Sequence, residues 1–306
     1  MSYRPEGYYI NSEENITLTS SAEGLQKALD NNIILEGRAI VCTGNHDLIV
    51  ELPCGRGIIP RNEGAIGIKE GKTRDIALIS RVNKPVCFIV TKIRLDNDGR
   101  VTAELSRRLA QEKCTNEYIS KLQSGDVIDA RVTHLEKFGC FVDIGCGISS
   151  LIPIDAISIS RISHSADRFT VGQYIRAIVK SKDNDRIYLT HKELLGSWDE
   201  NISDFNVGET VAGVVRSIEN YGIFVELAPN LAGLAELKDD VQIGQNVSVY
   251  IKAIVPEKMK VKLIIIDTCE KIKSVDPIKY YYSGDHMDKW NYSSKASERI
   301  QQSVFS

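Results

Sequence analysis

The sequence predicts a mainly β chain built as three tandem five-stranded barrels joined by helical linkers. Two observations carry that prediction. The stretch Gly125 to Ile144 recurs as Gly208 to Leu227, in register without a gap at an offset of 83 residues. Around both copies lie short runs rich in β-branched and aromatic residues, bounded by Gly, Asp or Asn. The chain of 306 residues, 42% hydrophobic and 26% charged, has ordinary globular composition and room for several compact domains.

Taken in order, residues 1–32 form a polar segment with one helix from Ser21 to Asn31, started by a serine cap. Residues 33–102 hold a weaker copy of the repeat. It runs from Leu35-Glu36-Gly37 through Val50-Glu51-Leu52 and Gly57-Ile58-Ile59-Pro60 to Val101. Residues 103–122, rich in Ala, Leu, Glu, Arg and Lys without Gly or Pro, read as a connecting helix. The second unit, 123–192, divides into strands at 126–134, 139–145, 148–153, 173–181 and 186–191, with Asp183-Asn184-Asp185 as the last turn. A partly helical link, 193–205, leads to the third unit, 206–267. In this unit the offset of the later landmarks drops to 72, because the connection after the third strand is shorter. Five strands with an excursion after the third match the Greek-key oligonucleotide-binding barrel, the OB-fold. Residues 268–306, with Tyr280-Tyr281-Tyr282, show no period and are expected to be an extended, flexible tail.

The repeated strand carries the candidate site. In Phe141-Val142-Asp143-Ile144, alternation sets Phe141 and Asp143 on one face and Val142 and Ile144 on the other. A carboxylate inside a small barrel is costly, so Asp143 is expected outside, and Phe141 with it. The same reasoning turns Phe224 out beside Glu226, with Val225 and Leu227 inside. A bulge at Gly139 and Gly222 would bring Phe138 and Tyr221 onto the same surfaces, giving two aromatic platforms suited to stacking on bases. The competing reading, aromatics plugging the barrel ends, is disfavoured by the alternation and the repetition.

The pattern at residues 125–145, Gly-Asp-Val leading to Phe138-Gly139-Cys140-Phe141-Val142-Asp143-Ile144-Gly145, resembles the S1-type RNA-binding domain. The third unit resembles it equally, and residues 33–267 together resemble bacterial ribosomal protein S1 homologues. The resemblance implies single-stranded RNA as ligand, with Phe138, Phe141, Tyr221 and Phe224 stacking on bases. It further implies an Asp and an Arg bracketing the last hairpin. Arg186 matches the Arg, and Lys182 or Asp183 stands where the Asp belongs; Asp96 and Arg100 keep the pair in the first unit. The sequence departs from the family where a His follows the third strand, since Pro153 and Glu236 stand there. The first unit carries His46 and Ile49 at the aromatic positions, so it is expected to bind RNA weakly or to dock on a protein. Arg161, His164 and Arg168, with Phe169, in the excursion of the second unit suit a groove that tracks the backbone; Arg131 and His134 are weaker candidates.

Other chemistries find no support. The formal net charge of −3 argues against holding duplex DNA by phosphate neutralisation. Gly71-Lys72-Thr73 lacks the upstream glycine of a phosphate-binding loop, and Asp96-Asn97-Asp98-Gly99 lacks the flanking ligands of a calcium loop. Seven cysteines without a C-x-x-C pair are expected to be reduced thiols, with no metal and no cofactor. No apolar run approaches a membrane span, and the N-terminus lacks the apolar region of a secretory signal. The expectation is a cytoplasmic, non-enzymatic protein that binds mRNA and works in translation, with the small ribosomal subunit as a partner and no membrane contact. The alternative is an RNA-associated adaptor, or a regulator of RNA decay or gene expression, not tied to the ribosome.

Overall fold

The computed structural model describes residues 3–95, 100–183, 186–269 and 277–305. They fall into two compact units, Met1–Leu122 with Asp143–Ser149, and Gln123–Val142 with Ser150–Ser306.

In the first unit, helices α1 (Glu13–Thr19) and α2 (Ala22–Asp30) precede a closed barrel of β1 (Ile34–Cys42), β2 (Leu48–Leu52), β3 (Gly55–Ile59), β4 (Pro85–Leu95) and β5 (Val101–Ser106). The order around the barrel is β1-β2-β3-β5-β4. Ser21 caps α2 by accepting from the Gly24 amide at 2.9 Å, and Ser12 caps α1 by accepting from the Asn15 amide at 3.2 Å. A short helix, α3 (Ile76–Ile79), lies in the excursion between β3 and β4.

The linker predicted as one helix from 103 to 122 begins instead as strand. Val101, Ala103 and Leu105 alternate into the barrel core, so burial overrides the helix propensity of Ala, Glu and Leu. Ser106 then caps α4 (Arg107–Glu117) by accepting from the Leu109 amide. The first unit also holds its N-terminal segment by charge. Buried Glu6 accepts from Arg107 Nε at 2.6 Å, from Arg81 Nη1 at 3.1 Å and from the Cys87 amide at 3.1 Å. Burial opposes ionisation of Glu6, but Arg107 and Arg81 hold its carboxyl below the usual range.

Strands β6 (Val127–Glu136), β7 (Gly139–Asp143), β8 (Ser149–Pro153), β9 (Tyr174–Asp183) and β10 (Arg186–Thr190) close a second barrel. Residues 184 and 185 of its last turn lie outside the described residues. Helix α5 (Trp198–Ile202), started by a capping box between Ser197 and Glu200, leads to the third barrel. That barrel contains β11 (Thr210–Glu219), β12 (Gly222–Ala228), β13 (Leu231–Ala235), β14 (Asn246–Val255) and β15 (Lys260–Cys269), in the order β11-β12-β13-β15-β14. Val215, Ile223, Val225, Leu231, Val247, Val249, Ile251 and Leu263 are buried in its core. The chain is thus mainly β, three closed five-stranded barrels in series. No helix among the described residues is long and apolar enough to cross a membrane.

The bulge expected at the repeated glycine lies on the preceding strand. Register shifts between Val215 and Ser217 in β11, and between Ala39 and Val41 in β1. The glycine answers a different need. A Cβ on Gly139, whose φ is +153°, would sit 2.3 Å from the carbonyl oxygen of Ile152, and one on Gly222 would sit 2.6 Å from that of Ala235. The neighbouring strand runs too close for any side chain. Gly139→Ala is therefore expected to destabilise the second barrel by about 1–3 kcal/mol, read as a lower denaturant midpoint with unchanged slope.

The C-terminal segment corrects the expectation of a flexible tail. Residues 277–305 carry a two-stranded sheet of β16 (Lys289–Asn291) and β17 (Gln302–Val304). Met287, Trp290, Tyr292 and Phe305 are buried in the same cluster as the core of the third barrel and Trp198. The segment also grips the second barrel. Arg176 Nη1 donates to the Tyr282 carbonyl at 2.7 Å, and the Val127 amide donates to the Asp285 carbonyl at 2.8 Å. His286 Nδ1 lies 2.7 Å from Asp126, and Nε2 lies 3.4 Å from Asp288. The bond to Asp126 raises the His286 pKa above its ordinary value. A raised histidine adds stability that is complete below about pH 6.5 and is lost as pH climbs through the raised value. Proteolytic release of residues 277–305 should therefore be faster at pH 9 than at pH 6, and His286→Gln should erase that difference.

Candidate nucleic-acid interface

The repeated strand places its aromatics on the outer face in both units of the repeat. Val142 and Val225 are fully buried, so Phe141 and Phe224 point the other way and are half-buried at the surface. Phe138 and Tyr221, in the turns just before, are 56% and 65% exposed. Each pair meets edge to face. The Phe138 and Phe141 ring centroids are 6.0 Å apart at 85°, and those of Tyr221 and Phe224 are 6.1 Å apart at 90°. Near-identical geometry on two barrels is what a shared pattern of residues produces. In each pair the outer ring, Phe138 or Tyr221, stands open to solvent.

The carboxylates beside these rings are not in solvent, contrary to the reading of the sequence. Asp143 and Glu226 are 4% and 6% exposed. Both sit on the outer face as alternation requires, but other chain segments cover that face. Asp143 accepts from the amides of Glu6 at 2.7 Å, Gly145 at 2.8 Å and Gly147 at 3.0 Å. Burial and the nearby Glu6 carboxylate push its pKa up to about 7. Glu226 instead takes two cations. Arg168 reaches it through Nη1 and Nη2 at 2.8 and 2.9 Å, and Arg216 through Nε and Nη2 at 2.8 and 3.1 Å. Burial opposes its ionisation, and the two guanidinium groups hold it below the usual carboxylate range.

Arg168 is accordingly removed from the candidate contacts. It is 8% exposed and committed to Glu226, so it does not line a groove. Phe169 is wholly buried and packs edge to face on buried His191 at 5.0 Å. The rest of the excursion stays accessible. Arg161 is exposed, while half-buried His164 caps the turn Ser165–Asp167 by accepting from the Ala166 amide at 3.0 Å. Arg186 and Lys182 are exposed on either side of the β9–β10 hairpin.

One residue the sequence ranked low stands beside the platform. The His134 ring lies 6.5 Å from Phe141, and its Nε2 is 2.8 Å from Glu136. The repeat itself held the signal, since His134 corresponds to Ser217, which pairs with Phe224 across the strands. Arg131 lies over the Tyr174 ring at 5.6 Å. In the first barrel, Ile49 pairs with Val41 as Phe224 pairs with Ser217, and His46 lies 3.9 Å from Asp75. An aliphatic residue at that position gives the first barrel no two-ring platform. Asp96, expected to partner Arg100, lies outside the described residues.

Residues 121–192 match the family model described as the S1 RNA binding domain. The small ribosomal subunit protein bS1 of Staphylococcus haemolyticus (strain JCSC1435) is 31% identical over 204 residues, covering 64% of this chain and 48% of that protein. The same protein of Staphylococcus aureus (strain COL) is 29% identical over 203 residues, covering 64% of this chain and 49% of that protein. The chain spans about half the length of the curated relatives it matches. Among solved structures, a multidomain protein with nucleic acid binding domains from Streptococcus pneumoniae TIGR4 aligns with 13% identity. That alignment covers 76% of this chain and 73% of that one, with a TM-score of 0.25.

Proposed function

On the premise that residues 121–192 belong to the S1 RNA-binding domain family and that the chain is homologous to bacterial bS1 over 64% of its length, we propose that it binds single-stranded RNA. The observation that carries this reading is the repeated edge-to-face pair, Phe138 with Phe141 and Tyr221 with Phe224, at one register on two barrels. Exposed aromatic faces recognise unstacked bases of any sequence, which a duplex does not offer. Arg161, His164, Lys182 and Arg186 supply accessible polar and cationic groups for the backbone.

Within this reading the chain is a cytoplasmic, non-enzymatic mRNA-binding factor that acts in translation with the small ribosomal subunit. The second and third barrels carry the RNA, and the first barrel serves a different contact. The reading is tested by measuring affinity for a single strand and for a duplex of the same length across a salt series. Stacking-led binding gives a clear preference for the single strand and a shallow dependence of log K on log salt. Equal affinities with a steep slope would sink it. Co-sedimentation with small subunits tests the ribosomal part, and its loss with RNA binding retained would favour an adaptor or a regulator of RNA decay.

A further inference from the structure

The two platforms belong to barrels joined by more than a linker. The excursion of the second barrel, between β8 and β9, is tied at both ends. Toward its own barrel, Ser165 Oγ donates to the Glu136 carbonyl at 2.9 Å, at the end of the strand that leads into Phe138. Toward the third barrel, the Ser160 amide donates to the Pro229 carbonyl at 3.0 Å and the Ile159 amide to Asn230 Oδ1 at 3.0 Å. Arg168 grips Glu226, which lies two residues beyond Phe224 on the same face of β12. Asp167 approaches Arg216 at 3.7 Å, and Arg216 occupies the bulge beside Ser217, the strand partner of Phe224.

The turn at residues 163–167 is therefore anchored between the strand end that carries Phe138 and the strand pair that carries Phe224. From this anchoring we propose that a single strand of RNA runs in one continuous path from the Phe138–Phe141 platform, over this turn, to the Tyr221–Phe224 platform. In this path Arg161 meets the phosphates between the two stacked segments. The proposal rests on the RNA-binding reading and adds to it a fixed bridge and a third group of contacts.

The chemistry of the turn suits a strand in passage. Its one acidic side chain, Asp167, accepts from the Ser163 and His164 amides and lies 3.7 Å from Arg216, so its charge is balanced. Ser163 on the turn and Arg161, two residues before it, are exposed. The His164 ring is held by its cap bond through Nδ1, which leaves Nε2 as its other hydrogen-bonding atom. A bridge already ordered before RNA arrives avoids the entropy of aligning two independently tumbling sites.

The test uses the full chain and two oligouridylates of about 20 nucleotides, long enough to reach beyond one barrel. One is continuous. In the other a polyethylene glycol tether of equal reach replaces the central nucleotides. A continuous path predicts that the continuous RNA binds more tightly. Arg161→Ala should weaken that RNA roughly two- to fivefold, the size of one solvent-exposed ion pair. It should also reduce the salt slope for that RNA by about 0.7, and weaken the tethered RNA by clearly less. Equal binding of the two RNAs, or an equal effect of Arg161→Ala on both, overturns the bridge. Double alanine variants of each aromatic pair, measured on the same RNAs, separate the two ideas. If they weaken both RNAs while the tether makes no difference, the bridge alone is wrong; if they change nothing, the platforms themselves are wrong.

Discussion

Alanine at both Phe138 and Phe141 should weaken binding of a long single-stranded RNA more than any other substitution in the second barrel. Each base stacked on an aromatic ring contributes about 1–3 kcal/mol, so losing one stack costs roughly fivefold to more than a hundredfold in affinity. The same change at Tyr221 and Phe224 should have a similar effect on the third barrel. The two rings of a pair differ in what else they do. Phe138 and Tyr221 are the more exposed, so their removal should barely touch stability. Phe141 and Phe224 are half-buried, and each also supports its partner through an edge-to-face contact of about 0.5–1.5 kcal/mol. Phe141→Leu keeps the apolar volume and removes the π face, so it isolates stacking from packing. Unchanged RNA affinity in a folded Phe138→Ala, Phe141→Ala protein would refute the platforms.

The legible part of this molecule was its local periodicity. Alternation alone sets Val142 and Val225 inward and Phe141 and Phe224 outward, and the repeat carries that from one barrel to the next. Exposure, unlike facing, depends on what else the chain brings to the surface. Asp143 was expected in water, yet the Glu6 amide lies against it from 137 residues earlier in the chain. Arg168 looked like a loop cation free for phosphate, and its partner Glu226 lies 58 residues further on. No spacing rule links such positions. The C-terminal segment failed for a related reason. Its strand β16 is only three residues long, too short for Trp290 and Tyr292 to register as a period, and both are held by packing against the core of unit 2. The repeated glycines are expected from the sequence to bulge, but in the third barrel the register shift lies on the strand before, and Gly139 and Gly222 instead mark close approach to Ile152 and Ala235.

The largest stability effect is expected at Glu226. Its carboxylate is the shared acceptor of two buried or half-buried guanidinium groups, Arg168 from the excursion of the second barrel and Arg216 from β11. Removing it leaves those cations without their main partner, and breaking a buried pair this way costs about 3–5 kcal/mol. Glu226→Ala should therefore lower the denaturation midpoint of the second and third barrels sharply. Replacing Arg168, Arg216 and Glu226 together by apolar residues of similar volume should recover most of the loss, because no charge is then stranded. The pH dependence has a definite sign. With the carboxyl held below its ordinary value of about 4.3, the contribution is fully present above that pH and is lost as pH falls through the lower, folded value. Glu226→Ala should flatten that acid limb as well as lower the midpoint. Since Arg168 also anchors the turn between the platforms, the variant should bind the continuous RNA no better than the tethered one. Stability unchanged on removal of the carboxylate would mean that the buried charges find other partners and that the junction does not depend on them.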